Sequence, residues 1–129
     1  MPRKKNEGDQ PLTPLELEIM TVLWETGPAN VQTVQERLEA RELAYTTVQT
    51  MLNVLQRKGR VKRTLKDRAY FYRPVLSRQK AVTEALGEVL DRFFGGSADS
   101  LVLNLLESKK LTAKKLADIQ KLIDEDHHE

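Results

Sequence analysis

No cysteine occurs among the 129 residues, which excludes disulfides, thiolate metal sites and a cysteine nucleophile together. No run of about 18 apolar residues is present, and the first ten residues are charged and polar, unlike the apolar core of a signal peptide. The expectation is a soluble cytoplasmic protein with no membrane insertion. Catalytic signatures are missing as well: there is no Gly-rich phosphate loop, no serine-nucleophile motif and no metalloprotease motif. Histidine is confined to His127 and His128 at the extreme C-terminus. With Asp124, Glu125, Asp126 and Glu129 around them they read as a polar tail, because a metal site needs ligands held in fixed geometry. No catalytic residue, no metal and no cofactor is expected, and the chain reads as a protein that binds and is not an enzyme.

The length suits one ordinary domain, or a small domain carrying an oligomerisation arm. A net charge of +2 says little until its distribution is followed. Between Arg57 and Arg73 eight cations face the single acid Asp67, a local net of +7 that leaves the remainder near −5. A basic patch beside an acidic remainder is the electrostatic footprint of a polyanion-binding surface. A solvated basic hairpin is the plain alternative.

The stretch YTTVQTMLNVLQRKG, Tyr45 to Gly59, carries the sharpest pattern. Val48, Met51, Leu52 and Leu55 fall at helical spacing and form one apolar stripe. Thr46, Thr50, Asn53 and Arg57 point away from it, with Gln49 on one flank and Thr47 on the other side. A face that is merely solvated favours Glu and Lys, whereas Thr and Asn carry a helix-propensity penalty. Short hydroxyl and amide groups donate and accept hydrogen bonds at base edges, so this is the pattern of a recognition helix. An ordinary polar surface helix is the competing reading.

The other elements follow in order. Residues 1–11 lack periodicity and read as a disordered basic arm. Thr13-Pro14-Leu15-Glu16 combines an N-cap, a proline at the first helical position and a capping-box glutamate, with Leu12 and Leu17 as a hydrophobic staple. Leu15, Ile19, Val22 and Leu23 make the buried face, Trp24 packs beside it, and Gly27-Pro28 stops the helix. Asn30 caps a shorter helix with Val31, Val34 and Leu38 inside, and residues 39–44 lead to the recognition helix. Gly59 takes the C-cap position. The period then changes to two: residues 61–65 and 69–72 read as strands about a turn at Lys66-Asp67-Arg68. Three helices and a basic hairpin make a winged helix-turn-helix, in which the third helix enters the major groove and the hairpin tip reaches the backbone. On this reading Thr46, Thr47, Gln49, Thr50 and Asn53 face bases or flanking phosphates, and Arg57, Lys62, Arg63, Lys66 and Arg68 neutralise phosphates.

Beyond Arg73-Pro74, Ser77 caps a long helix with Val82, Ala85, Leu86, Val89, Leu90 and Phe93 on one seam, ending at Gly95-Gly96. Ser97 or Asp99 starts another, with Leu101, Val102, Leu105 and Leu106 inside. Thr112 caps a last one carrying Leu116, Ile119, Leu122 and Ile123. Three amphipathic helices over about fifty residues bury too little surface to stand alone. The economical partner is a second copy of the chain, placed by a two-fold axis, which sets two recognition helices about one DNA turn apart. A closed monomeric bundle is the alternative. The fold class expected is mainly α with a small β-hairpin: a winged-helix domain over residues 12–74, then a helical dimerisation domain over residues 75–126.

The segments LTPLELEIMTVLWETGPANVQTVQERL, YTTVQTMLNVLQRKGRVKR, AYFYRPVLSR and GGSADSLVLNLLE, in that order from Leu12 to Asp124, resemble the penicillinase and methicillin-resistance repressors of the BlaI/MecI type. Tyr45 to Arg63 and the string Ser100-Leu101-Val102-Leu103-Asn104 are the specific parts. The resemblance implies a homodimeric transcriptional repressor on an inverted-repeat operator in double-stranded DNA, with a C-terminal three-helix dimerisation region. It further implies induction by a membrane sensor-transducer protease, which in such repressors cuts after an Asn in that string; the matching bond here is Asn104-Leu105. Leu105 stands where cleaved members have Phe. Gln49 stands where the resistance repressors carry Arg, and Gln prefers adenine where Arg prefers guanine. Copper-responsive relatives bear a C-terminal cysteine cluster that this chain lacks. Two other classes remain on the sequence: a winged-helix protein-interaction module, and a DNA-bound regulator answering to a metal or small ligand.

Overall fold

The computed structural model describes residues 11–126. The expectations for the basic arm up to residue 10 and for His127 and His128 lie outside the described residues. Eight regular elements follow the expected order: α1 (Pro14–Thr26), α2 (Val31–Arg37), α3 (Tyr45–Arg57), β1 (Val61–Lys66), β2 (Ala69–Pro74), α4 (Arg78–Phe93), α5 (Ala98–Glu107) and α6 (Ala113–Asp126).

Local chemistry sets the ends of these helices. The Thr13 hydroxyl accepts from the Glu16 amide at 3.2 Å while the Thr13 amide donates to the Glu16 carboxylate at 2.8 Å, closing the capping box. Asn30 accepts from the Thr33 amide to start α2, and Ser77, Ser97 and Thr112 do the same for α4, α5 and α6. At the end of α3, Gly59 adopts φ 75°. Its amide donates to the Gln56 carbonyl and the Arg60 amide to the Leu55 carbonyl, both at 2.9 Å. This is a Schellman stop, in which the left-handed residue returns two otherwise unsatisfied carbonyls to hydrogen bonds.

The two residues of the expected staple differ in burial. Leu12 packs against the core, but Leu17 is 46% exposed. Helix geometry gives the reason: at about 100° per residue, Leu17 lies about 140° around α1 from the middle of the Ile19 and Leu23 stripe.

The core joins Ile19, Met20 and Leu23 of α1 to Val31 and Val34 of α2 and to Val48, Leu52 and Leu55 of α3, and is closed by Val61, Tyr72 and Leu76. Each large side chain removed from water contributes about 1.5–3 kcal/mol. Met51 lies at the edge of this core. Between α2 and α3 the chain makes a 3-10 turn over Glu39–Arg41 and a left-handed step at Glu42, with an ion pair from Arg41 to Glu18 across the surface.

The hairpin pairs Lys66 with Ala69, so its turn is the dipeptide Asp67-Arg68, with Lys66 inside β1 where the sequence pattern put it in the turn. Asp67 and Arg68 have φ 50° and 67°, the type I′ geometry whose twist matches paired strands. The hairpin is fastened at its far end by a two-way backbone bridge between Ala29 and Tyr72, at 3.0 and 2.8 Å. The Arg60 carbonyl accepts from Val75 and Leu76, and the Trp24 indole donates to the Leu76 carbonyl at 2.9 Å.

The chain divides after Ala85 into two compact units. In the first, Ala81 of α4 packs on the core. In the second, no described residue is buried.

Candidate nucleic-acid interface

Burial of Val48, Leu52 and Leu55 turns the opposite side of α3 outward, and Thr46, Thr47, Gln49, Thr50, Asn53 and Arg57 are all exposed. No side chain caps the start of α3 and no acid lies in its first turn. That end of the helix therefore carries the uncompensated positive pole of the macrodipole.

Strand alternation sorts the hairpin cations. Val61, Arg63 and Leu65 on β1 and Tyr70 and Tyr72 on β2 share one side by register. This is the side turned to α3: the Arg63 guanidinium lies over the Tyr70 ring at 4.1 Å and donates to the Asn53 side-chain carbonyl at 3.4 Å. The Tyr72 hydroxyl donates to the same oxygen at 3.1 Å. At the tip, Arg68 and Tyr70 line a hollow of about 260 Å³ together with Gln49, Tyr45 and Gln32. Arg63 and Arg68 thus stand beside the outward face of α3, whereas Lys62 and Lys66 alternate onto the other side of the hairpin.

Two cations of the basic stretch are committed elsewhere. The Lys58 ammonium donates to both Glu16 carboxylate oxygens at 3.0 and 2.9 Å, and these side chains are 9% and 1% exposed. Burial works to raise the Glu16 pKa, but the Thr13 amide and the Lys58 ammonium outweigh it and hold the carboxyl below its ordinary value. Arg60, also buried, pairs with Glu84 of α4 at 3.0 Å. The run of positive charge along the sequence therefore overstates the charge that reaches the surface. Sequence pattern carries no sign of these pairs, since the capping box gives Glu16 a local partner and Lys58 lies 42 residues away.

Among the residues expected at a subunit contact, Val82, Leu86, Val89, Phe93, Leu116, Ile119, Leu122 and Ile123 are exposed, while Leu90, Leu101 and Leu105 are half-buried. Phe93 is 73% exposed and Leu122 61%. Asn104 is exposed inside α5, and its carbonyl accepts from the Ser108 amide. Among the described residues no cluster of His, Asp and Glu is arranged to hold a metal ion, and no helix is long and apolar enough to cross a membrane.

Three packed helices, a short hairpin wing and a Thr- and Gln-rich face on the third helix define a winged-helix, DNA-binding transcriptional regulator. Residues 12–125 match the penicillinase repressor family. The chain belongs to that family, and is accordingly a transcriptional repressor. It is 28% identical over 111 residues to the penicillinase repressor of Bacillus licheniformis, covering 85% of this chain and 87% of that protein. It is 38% identical over 99 residues to the transcriptional regulator BlaI of Mycobacterium tuberculosis, covering 72% and 70%. In three dimensions it resembles the transcriptional regulator Tm0710 from Thermotoga maritima with a TM-score of 0.52 at 20% identity, over 88% of this chain and 72% of that one. That likeness concerns the fold alone.

Proposed function

We propose that the protein is a homodimeric repressor that binds an inverted-repeat operator in double-stranded DNA, without chemistry of its own, in the cytoplasm. The observation that carries this reading is the exposed Thr46, Thr47, Gln49 and Thr50 face of α3 flanked by Arg63 and Arg68 of the hairpin. The helix face reads base edges, and the flanking cations Arg57, Arg63 and Arg68 hold phosphates, with Lys62 and Lys66 meeting the strand beyond the wing. A winged-helix domain over 12–74 then serves recognition, and a helical domain over 75–126 serves dimerisation. The exposed apolar residues of α4 and α6 support the second role, because a second copy removes them from water.

Relief of repression by a sensor-transducer protease falls at Asn104-Leu105. A protease takes its substrate extended, so the cut requires the hydrogen bonds of α5 around Asn104 to open first.

Selection of bound DNA from a random pool, with sedimentation of the free protein, tests the proposal. An enriched palindrome and a dimeric mass are expected; no enrichment refutes it. One observation favours a ligand-responsive variant of the same reading. A hollow of about 740 Å³ lies among Leu23, Trp24, Pro28, Val75, Leu76 and Arg78, and release of the operator on adding a metabolite would identify it as an effector site.

A further inference from the structure

We infer that Asn53, through the buried hydroxyl of Tyr72, is a positioning residue that sets the wing and Arg63 against the recognition helix, and is not itself a reader of bases. The inference rests on the operator reading above and concerns how the same surface discriminates.

Asn53 sits on the outward face of α3, where an asparagine would ordinarily pair with adenine by accepting from N6 and donating to N7. That pairing needs its carbonyl oxygen. A carbonyl oxygen has two lone pairs, and here both are engaged: one by Tyr72 Oη at 3.1 Å, the other by Arg63 Nη1 at 3.4 Å. Tyr72 cannot follow Asn53 outward. Its side chain is 1% exposed, and its backbone is bridged in both directions to Ala29. A phenol buried to that degree loses its hydroxyl partner if the amide swings toward DNA, which penalises the swing.

The geometry gives Asn53 a different task. One amide oxygen joins the side of α3 that faces solvent to both strands of the wing, since Arg63 is on β1 and Tyr72 on β2. Arg63 is held twice, by this bond and by the Tyr70 ring beneath it at 4.1 Å. Its guanidinium uses one of five N–H donors on Asn53, and the others remain for phosphate or base. An arginine ordered before the encounter loses less freedom on binding than one that must be immobilised.

The test uses the full-length protein, its selected operator and a panel of single-base-pair operator variants, read by fluorescence anisotropy at several salt concentrations. Tyr72→Phe removes a hydroxyl that touches no DNA, yet should weaken operator binding about fivefold to tenfold. Asn53→Ala should weaken it by a similar factor, and the double variant no further, with losses spread evenly across the panel. Arg63→Lys, an exposed change that keeps the charge, should weaken binding while leaving the salt slope unchanged. Trp24 fluorescence on heating verifies folding; should Tyr72→Phe fail to fold, Asn53→Ala and Arg63→Lys carry the same test. The inference is overturned if Tyr72→Phe binds as the wild type does, or if Asn53→Ala loses discrimination at one base pair alone. It is also overturned if Arg63→Lys retains full affinity. A wild-type protein that selects no sequence would instead refute the operator reading itself, and this role with it.

Discussion

Replacing Lys58 by methionine leaves the Glu16 carboxylate buried at 1% exposure without its cation. Breaking a buried ion pair from one side costs about 3–5 kcal/mol, because the remaining charge keeps its desolvation penalty and loses its compensation. Glu16 retains the Thr13 amide at 2.8 Å, so the lower end, about 3 kcal/mol, is expected. Against the roughly 5–15 kcal/mol of a small domain that is a large share, and it lowers the melting temperature by about 10 °C or more. The pH dependence changes with it. In the wild type the Glu16 pKa is lowered on folding, so its stabilisation is complete above the ordinary carboxylate range and is lost as pH falls through the folded value. In Lys58→Met burial acts with less opposition and raises the folded pKa, so the deficit is greatest at neutral pH and narrows in acid. The double change Glu16→Gln, Lys58→Met restores most of the loss, since a neutral pair carries no stranded charge. Urea unfolding followed by Trp24 fluorescence across a pH series reads all of this, because Trp24 lies against the same core. A Lys58→Met protein within about 1 kcal/mol of the wild type, with the same pH profile, would refute the reasoning.

Further outcomes follow from the site and from the exposed helices. Lys66→Ala and Arg68→Ala should each weaken binding to operator and random DNA alike and reduce the slope of log K against log salt by about one; filter-binding titrations check this. Gln49→Arg should move operator preference toward guanine at one position, with about 1–3 kcal/mol of discrimination, seen by repeating the random-pool selection. Arg68→Gly should separate stability from affinity. Glycine accepts φ 67° without the Cβ penalty and stabilises the turn by up to about 1 kcal/mol, while one phosphate contact disappears. Leu122→Glu, at a side chain 61% exposed, should leave the melting of the winged unit unchanged and shift sedimentation from dimer to monomer.

The parts legible in the sequence are those determined within a few residues. Thr13, Asn30, Ser77 and Thr112 as caps, Gly59 as a stop and the change of period after it each follow from local rules, and the fold class follows from their order, while the family shows in the resemblance of Tyr45 to Arg63 and Ser100 to Asn104. Ser97 and Asp99 were both open as starts for α5, and the Ser97 hydroxyl takes the Ser100 amide. What escaped depends on distant partners. Lys58 and Arg60 look like their basic neighbours until Glu16 and Glu84 are brought beside them by packing. Asn53 looks like Thr50 on a helical projection, and only the register of β2 delivers Tyr72 to it. Period two placed Tyr72 on a strand but did not say which side meets α3. The turn shrank from three residues to two because Asp67 and Arg68 both accept left-handed backbone, a cost that composition does not reveal.

Gly59 has empty space where a Cβ would project, so the demand for glycine there comes from its backbone angle alone. That angle sets where the hairpin leaves the helix, and on the proposed reading the two arms are the jaws of a caliper set before a duplex is gripped. A side chain at this hinge costs about 1–2 kcal/mol in the left-handed conformation, and relaxing that strain would open the jaws. On the proposed reading, the width of groove the protein can span is thus set by the backbone angle of Gly59.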